Sequence, residues 1–379
     1  MSITGVDAKS ANSVRATDPA AAQSAHPPGF AYSSQQYRVV FGAGSAARLN
    51  EEVERLGIKR VLVLTTREQR DQGARIGAHL GSRLAASFSD ARMHTPVEVT
   101  EAAIAVVQAQ DIDGFVAIGG GSTIGLGKAI ALESSLPIIA IPTTYAGSEM
   151  TPIYGITENG LKKTGRDVKV IPKTVLYDPE LTIGLPVRLS IVSGLNAIAH
   201  AAEGLYAQDG NPVMSLMAEE GIRSLANGLR GVKKNSKDKA ARSECLYGAW
   251  LCGMVLGNVG MALHHKLCHT LGGTFNLPHA ETHAIVLPHS LAYNSTVADE
   301  AMGRIARALN VDSAPDGLYQ LNEELGVPRG LREIGLGEAD LDHACKVALS
   351  NPYWNPRPIE EEPLRALLQR AWEGARPSV

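Results

Sequence analysis

The distribution of β-branched runs along the chain constrains its fold more than any other feature. Up to about residue 178, short apolar runs alternate with helical stretches, whereas helical periodicity dominates from Pro186 onward. Alternating strands and helices are typical of a parallel sheet that is covered on both faces. The sequence therefore predicts an α/β fold class, with a Rossmann-like parallel-sheet domain over residues 29–185 and an all-helical domain over residues 186–379.

The individual helices and strands are predicted from the same patterns and from the Gly and Pro residues that end them. We predict strands over residues 37–41, 60–64, 114–118, 137–141, 153–156, 168–171 and 174–177, of which the last three could include a hairpin. Helices are predicted in the first half over residues 67–86, 97–108 and 122–134. In the second half they are predicted over residues 187–207, 213–231, 239–254, 257–275, 280–293, 298–308, 315–325, 338–349 and 359–373.

The composition excludes several classes of function. The 379 residues are 20% charged with a net charge of -3, which gives no reason to expect nucleic acid or an anionic membrane as a partner. Residues 1–28 have no basic start followed by an apolar core, so we interpret them as a disordered or loosely docked tail and not as a secretory signal. The four cysteines form no CxxC pair, and we expect them to be reduced in a cytoplasmic protein.

A glycine-rich segment follows the predicted strand at residues 114–118 and opens a helix. Gly119, Gly120 and Gly121 allow a sharp turn and close approach of a ligand, and Ser122 can cap the helix. Amides at a helix N-terminus bind phosphate groups. The spacing matches neither GxGxxG nor a P-loop, so the turn alone is a weak indication of dinucleotide binding.

The ends of two other predicted strands strengthen that interpretation. Thr143, Thr144 and Ser148 follow the strand at 137–141, where doubly wound sheets bind ligands. Thr65 follows the strand at 60–64, and no carboxylate comes before Glu68. An acidic residue at this position commonly binds the ribose 2′-hydroxyl of NAD. We favour NADH as the cofactor, while the neighbouring Arg67 leaves NADPH open.

Histidines are concentrated in the predicted helical domain. Six of the eleven lie within 84 positions, at His200, His264, His265, His269, His279 and His283. Asn196 and His200, His265 and His269, and His279 and His283 are each four residues apart, so each pair shares a helix face. Three such pairs could converge on one cleft.

Two interpretations of this histidine cluster compete. Imidazoles on facing helices are suitable ligands for zinc or iron, although iron usually also takes a carboxylate and position 196 supplies only a neutral amide. In the alternative, the imidazoles bind a carboxylate-rich substrate and donate protons without a metal.

Longer motifs resemble a known family. The stretches at residues 119–122, 143–149, 178–181, 196–200, 265–269 and 278–279 resemble the iron-containing alcohol dehydrogenase superfamily, whose domain arrangement is of the dehydroquinate synthase kind. The stretches at 145–152, 261–275 and 276–283 are similar to its maleylacetate reductases. The match runs from about residue 32 to the C-terminus.

The resemblance implies a function and a set of site residues. It implies NAD(P)H-dependent reduction of 2-maleylacetate to 3-oxoadipate in bacterial breakdown of aromatic compounds, and it implies a homodimer. Whether substituted maleylacetates are also substrates is left open by the sequence. It adds Leu181 to the cofactor contacts named above. The metal-ligand positions of the superfamily fall on Asn196, His200, His265 and His279. Because metal-binding members have aspartate at the first of these positions, we expect that this chain requires no metal. We also expect His269 and His283 to belong to the catalytic set, as further candidates for the proton donor.

Three alternatives remain open at this point. A metal-dependent alcohol or polyol dehydrogenase of the same superfamily would act on simple carbonyl compounds. A lyase or synthase of the dehydroquinate synthase kind would use NAD without net redox change. A nucleotide-binding sensor would bind NADH tightly without turnover.

Overall fold

The computed structural model describes residues 30, 32–33, 37–158 and 161–378 of the chain. Every helix and strand named below lies within Ser34–Val379, which forms one unit. The tail predicted over residues 1–28 lies outside the described residues.

A six-stranded parallel sheet forms the first half of the molecule. Its strands follow the order β1-β8-β5-β4-β2-β3, and every neighbouring pair is parallel. The central strands are buried and rich in Val, Ile and Leu, as expected when helices cover both faces. The strands within the described residues are β1 (Arg38–Phe41), β2 (Val61–Leu64), β3 (Leu84–Phe88), β4 (Gly114–Gly119), β5 (Ile138–Pro142), β6 (Ile153–Glu158), β7 (Leu161–Arg166) and β8 (Thr174–Tyr177).

Helices connect the strands and then form the whole second half. The helices of the first half are α1 (Leu49–Arg55), α2 (Arg70–Gly77), α3 (Val97–Ala109) and α4 (Gly121–Ser134). Those of the second half are α5 (Val187–Gly204), α6 (Pro212–Lys234), α7 (Lys239–Asn258), α8 (Leu263–Phe275), α9 (His279–Asn294), α10 (Asp299–Leu309), α11 (Ala314–Leu325), α12 (Leu341–Ser350) and α13 (Glu361–Glu373). The predicted fold class, a parallel sheet followed by helices, is therefore confirmed. The domain boundary near residue 185 stays a prediction.

The helical half contains the larger apolar core. The buried side chains of α5 to α13 form one continuous cluster, and α9 packs against both α5 and α8. Within the described residues, no single helix has the length and apolar character needed to cross a membrane; the bent pair α7 and α8, at 95° to each other, meets that criterion by length and composition only.

The loop after β5 is fixed by a buried lysine. Lys128, on α4, donates through Nζ to the carbonyl oxygens of Ser148, Thr151 and Ile153 at 2.6–2.9 Å. Burial lowers the pKa of Lys128 to about 7. These bonds hold the polar loop at the carboxyl end of β5 against the helix that follows the glycine-rich turn.

Three stretches differ from the sequence prediction, and the first is α1 (Leu49–Arg55), a helix that was not predicted. The helix predicted over residues 67–86 breaks because Gly81 has a φ of 54°, and Leu84–Phe88 then forms the edge strand β3. This strand contains no Val or Ile, so its composition does not distinguish it from a helix. The strand predicted over residues 168–171 is wrong: Val168–Val170 is a 3₁₀ turn capped by Asp167, and the hairpin is formed by β6 and β7 instead.

Candidate active site

The glycine-rich turn has two crowded positions and one open position. A Cβ atom at Gly119 would lie 2.4 Å from the Thr123 hydroxyl, and one at Gly120 would lie 2.7 Å from the methyl group of Thr144. At Gly121, the first residue of α4, nothing lies within 4 Å of that position. The first two glycines therefore serve the packing of the turn, whereas the third leaves space for a ligand at the helix N-terminus.

The end of β5 lies beside this turn, because Gly119 pairs with Pro142 in the sheet. Thr143 is buried and its hydroxyl accepts a hydrogen bond from Gln69 Nε2 at 2.7 Å. Thr144 and Ser148 are partly exposed. The Tyr145 amide then donates to Ser193 Oγ at 3.0 Å, which joins this loop to α5.

A cavity of about 310 Å³ lies on the other side of the turn, at the ends of β2 and β3. Ser122 lines it together with residues 66–68 and 90–93. The predicted Thr65 is buried and its hydroxyl donates to Ser89 Oγ, so its neighbour Thr66 lines the cavity instead. The carbonyl oxygen of Leu181 accepts a bond from Gln72.

The structure brings the predicted histidines of α5, α8 and α9 together. The ring centroid of His265 lies 5.2 Å from that of His200, 4.9 Å from that of His283 and 6.0 Å from that of His269. The His279 ring lies 4.4 Å from His283 and 6.4 Å from His269. The convergence that helical spacing made plausible is therefore present in the fold.

A buried carboxylate organises this cluster. Glu203 is fully buried on α5 and accepts hydrogen bonds from the backbone amides of Ala262, His264 and His265 at 2.7–3.3 Å. It also lies 2.6 Å from His265 Nδ1. A carboxylate at the start of α8 satisfies amides that have no partner within the helix and interacts favourably with the helix dipole. The same group orients the His265 ring.

Sequence reasoning missed Glu203, although a signal was present. Asn196, His200 and Glu203 are spaced by four and then three residues, so they lie on one face of α5. A carboxylate continuing a polar face through an otherwise apolar helix requires a partner.

Burial keeps the deep histidines neutral. Loss of hydration, followed by repulsion from neighbouring imidazoles, holds the pKa of His200, His264 and His283 well below the ordinary histidine value. These three rings therefore act at neutral pH as hydrogen-bonding groups and not as imidazolium cations.

A hydrogen-bonded chain fixes the deepest of these rings. His264 Nδ1 lies 3.2 Å from Ser290 Oγ, and His264 Nε2 lies 2.9 Å from His283 Nδ1. The Ser290 hydroxyl donates to the Leu287 carbonyl, so its oxygen is free to accept from His264 Nδ1. With that assignment His264 Nε2 accepts from His283, and His283 directs an unprotonated Nε2 into the cluster.

His269 and His279 lie at the solvent-exposed side of the cluster. Their rings are nearly parallel, with 11° between the planes. His269 Nδ1 is 2.9 Å from the hydroxyl of Tyr353, a second residue that sequence reasoning missed because it lies 84 positions away. The histidine cluster is therefore buried at His264 and His283 and exposed to solvent at His269 and His279.

Several buried polar atoms of the cluster have no hydrogen-bond partner within the described part of the chain. They are Asn196 Oδ1, His200 Nδ1, His265 Nε2 and His283 Nε2. Buried polar groups in native proteins are nearly always paired, so unpaired groups that converge in one place indicate a site for a polar ligand.

Comparison with known proteins agrees with this geometry. The iron-containing alcohol dehydrogenase family matches residues 36–179, and the C-terminal domain of the Fe-containing alcohol dehydrogenase family matches residues 190–372. The chain is 58% identical to the maleylacetate reductase of Burkholderia cepacia over 349 residues, which cover 92% of this chain and 99% of the relative.

Solved structures give the same result. The crystal structure of maleylacetate reductase from Rhizobium sp. strain MTP-10005 superimposes with a TM-score of 0.90 at 53% identity, covering 92% of this chain and 100% of the other. That from Agrobacterium tumefaciens gives a TM-score of 0.90 at 53% identity, covering 92% and 99%. The chain belongs to the iron-containing alcohol dehydrogenase family, and within it to the maleylacetate reductases. It is an oxidoreductase that binds NAD(P).

The family name implies a metal ion, and the residues present do not fit the usual iron site. The four positions at which the resemblance implies metal ligands hold Asn196, His200, His265 and His279, an amide and three imidazoles with no carboxylate. The nearby carboxylate, Glu203, is already engaged by three amides and by His265 Nδ1. Non-haem iron sites typically combine histidines with a carboxylate ligand.

Proposed function

We propose that this chain reduces the carbon–carbon double bond of 2-maleylacetate with NADH, giving 3-oxoadipate in bacterial degradation of aromatic compounds. The observation that carries the proposal is the convergence of His200, His265 and His283 on one buried cluster with unpaired polar atoms. Similarity to named maleylacetate reductases at 50–58% identity supports the substrate.

The chemistry of the substrate explains why donors are needed. Maleylacetate carries an alkene conjugated to a ketone. Hydride from the nicotinamide adds to the alkene carbon β to the ketone, and the electron pair of the double bond moves onto the ketone oxygen as an enolate. Preorganised hydrogen-bond donors at such an oxygen contribute about 3 kcal/mol to transition-state stabilisation. Protonation at the α carbon then completes the reduction.

We assign these roles within the cluster. Asn196 and His200 donate to the developing enolate oxygen as neutral groups. His265 donates the proton, and Glu203, 2.6 Å from His265 Nδ1, orients its ring. His269, at the exposed side and 6.0 Å from the His265 ring, returns protons from solvent together with His279.

We further propose that turnover needs no metal ion. Imidazole and amide groups take the place that a cation would occupy beside the ketone oxygen. The neutral amide at Asn196 and the engaged Glu203 carboxylate support this proposal.

Cofactor binding is assigned to the sheet edge. Gly121 and Ser122 at the N-terminus of α4 would hold the diphosphate of NADH, and Thr143, Thr144 and Ser148 would hold its nicotinamide half. The open space above Gly121 supports this placement.

We also propose that the protein is a cytoplasmic homodimer. Four buried free cysteines support a reducing environment. β1 is an edge strand that pairs with β8 alone among the described strands, and its Phe41 is exposed. Exposed edge strands and apolar side chains are common features of interfaces.

A substrate panel tests the proposed reaction against its main alternative, a metal-dependent alcohol or polyol dehydrogenase. We expect the purified protein to oxidise NADH with maleylacetate, to form 3-oxoadipate in equal amount, and to show no comparable turnover with simple aldehydes. Turnover of aldehydes with no turnover of maleylacetate would refute the proposal.

A further inference from the structure

The cavity at the ends of β2 and β3 contains an arrangement of charge that the reaction itself does not use. Arg67 Nε donates to one oxygen of the Asp90 carboxylate at 2.6 Å, and an Arg92 terminal nitrogen donates to the other at 2.7 Å. The arginine side chains are 68% and 51% exposed, whereas that of Asp90 is 30% exposed. One carboxylate thus holds two guanidinium groups at the wall of a pocket.

The position of this pocket identifies the part of the cofactor that reaches it. In doubly wound sheets the diphosphate lies at the glycine-rich turn, and the adenosine ribose lies over the end of the neighbouring strand. Here the turn follows β4, the neighbouring strand is β2, and Ser122 lines the pocket from the turn. The pocket of about 310 Å³ is therefore placed to receive the adenosine ribose and its 2′-substituent.

The strand that normally supplies the ribose-binding carboxylate does not do so in this chain. β2 continues into Thr65, Thr66 and Arg67. Glu68 also lines the pocket, but its carboxylate is bonded to its own backbone amide and to the Thr66 hydroxyl. The carboxylate in this pocket is instead that of Asp90, just after the end of β3. The two arginines keep the pKa of Asp90 below its ordinary value, so it is ionised at neutral pH.

We infer that Asp90 determines the choice between NADH and NADPH, acting against Arg67 and Arg92 in the same pocket. This inference rests on the proposed NAD(P)H-dependent function. With NADH, the Asp90 carboxylate accepts a hydrogen bond from the ribose 2′-hydroxyl. With NADPH, a 2′-phosphate of charge near −2 is repelled by Asp90 but attracted by both arginines. We therefore expect the chain to accept both cofactors, with Asp90 favouring NADH and the two arginines favouring NADPH.

The Asp90→Asn variant tests this inference. It removes the repulsive charge and releases both arginines to the phosphate. We expect the ratio of kcat/KM for NADPH to that for NADH to rise about tenfold or more, as for loss of one close charged contact. Arg67→Gln, in contrast, should lower kcat/KM for NADPH by about tenfold and change that for NADH less than about threefold.

Asp342→Asn is the matched control, since Asp342 forms a surface ion pair with Arg365 at 2.6 Å and does not line the pocket. It should leave the ratio unchanged. A ratio that changes less than threefold in Asp90→Asn would overturn the inference. Titration of NADH and NADPH binding without substrate separates the two proposals: if maleylacetate is not reduced at all, the binding ratio of the same variants still decides the role of Asp90.

Discussion

At the scale of single residues, Glu203 determines what His265 can offer to a substrate. The carboxylate takes the Nδ1 side of the ring at 2.6 Å and is itself fixed by the amides at the start of α8. His265 Nε2 is then the only nitrogen of that ring directed toward the unpaired atoms of the cluster. Orientation by a second group is a common way to preorganise a catalytic imidazole.

Replacement of His265 by alanine is the corresponding prediction. We expect kcat to fall by about 100-fold or more, because a positioned general acid contributes about that factor. The affinity for NADH should stay within about threefold, since in our account the cofactor binds chiefly at the sheet edge. Steady-state kinetics together with NADH titration measure both quantities.

The control for this substitution is His79→Ala, which removes an exposed histidine outside the cluster. It should retain full activity. A fall of less than threefold in His265→Ala would remove His265 from the proton-donor role.

Sequence reasoning at this scale identified the histidines but not their partners. Helical spacing of four residues was enough to predict that His265 and His269 share a face. It gives no information on which residue of another helix meets that face, so Glu203 and Tyr353 depended on the packing of α8 against distant parts of the chain.

At the scale of secondary-structure elements, the proposed binding site for the cofactor diphosphate depends on the turn between β4 and α4. Gly121 differs from Gly119 and Gly120 because a side chain there would meet no protein atom. Packing does not require a glycine at this position, and in our proposal the cofactor does.

The Gly121→Ala variant tests that distinction. We expect it to fold normally and to bind NADH about tenfold or more weakly, because the new methyl group occupies the space of the diphosphate at the helix N-terminus. Gly184→Ala is the control, as a Cβ there also meets nothing within 4 Å and the residue is exposed. Thermal unfolding with NADH titration separates folding from binding; unchanged NADH affinity in Gly121→Ala would place the diphosphate elsewhere.

The elements were predicted with different success in the two halves. In the helical half, each of the nine predicted helices corresponds to one of α5 to α13, although the one predicted over 257–275 also includes the end of α7. A 3.6-residue apolar pattern over ten or more residues is a strong signal. In the sheet half, the five-residue strand β3 was missed and residues 168–171 were assigned wrongly. Short elements depend on tertiary pairing, which local composition does not encode.

At the scale of the whole molecule, the proposed reaction needs the proposed cofactor site at the sheet edge and the histidine cluster to be connected. The loop after β5 joins the two, since Lys128 fixes it to α4 and its Tyr145 amide donates to Ser193 on α5. Ser193 precedes Asn196 by three residues and His200 by seven, so the loop contacts the helix face that carries the cluster.

The histidine spacing alone was compatible with a metal site. The structure brings these histidines together, but position 196 supplies an amide and not a carboxylate. Asn196 supplies a neutral amide, and burial holds the pKa of His200 well below its ordinary value. In our proposal, a neutral amide and neutral imidazoles stabilise the enolate by donating hydrogen bonds to its oxygen. Our central claim is therefore that the cluster itself performs the reduction.

The most direct test of that claim is the turnover of metal-depleted enzyme with NADH and maleylacetate. Protein treated with a chelator and verified by elemental analysis to hold less than about one metal ion per ten chains should retain full kcat and form 3-oxoadipate, because proton donation and enolate stabilisation come from His265, His200 and Asn196. Loss of activity on metal removal, with recovery on addition of iron or zinc alone, would contradict the account.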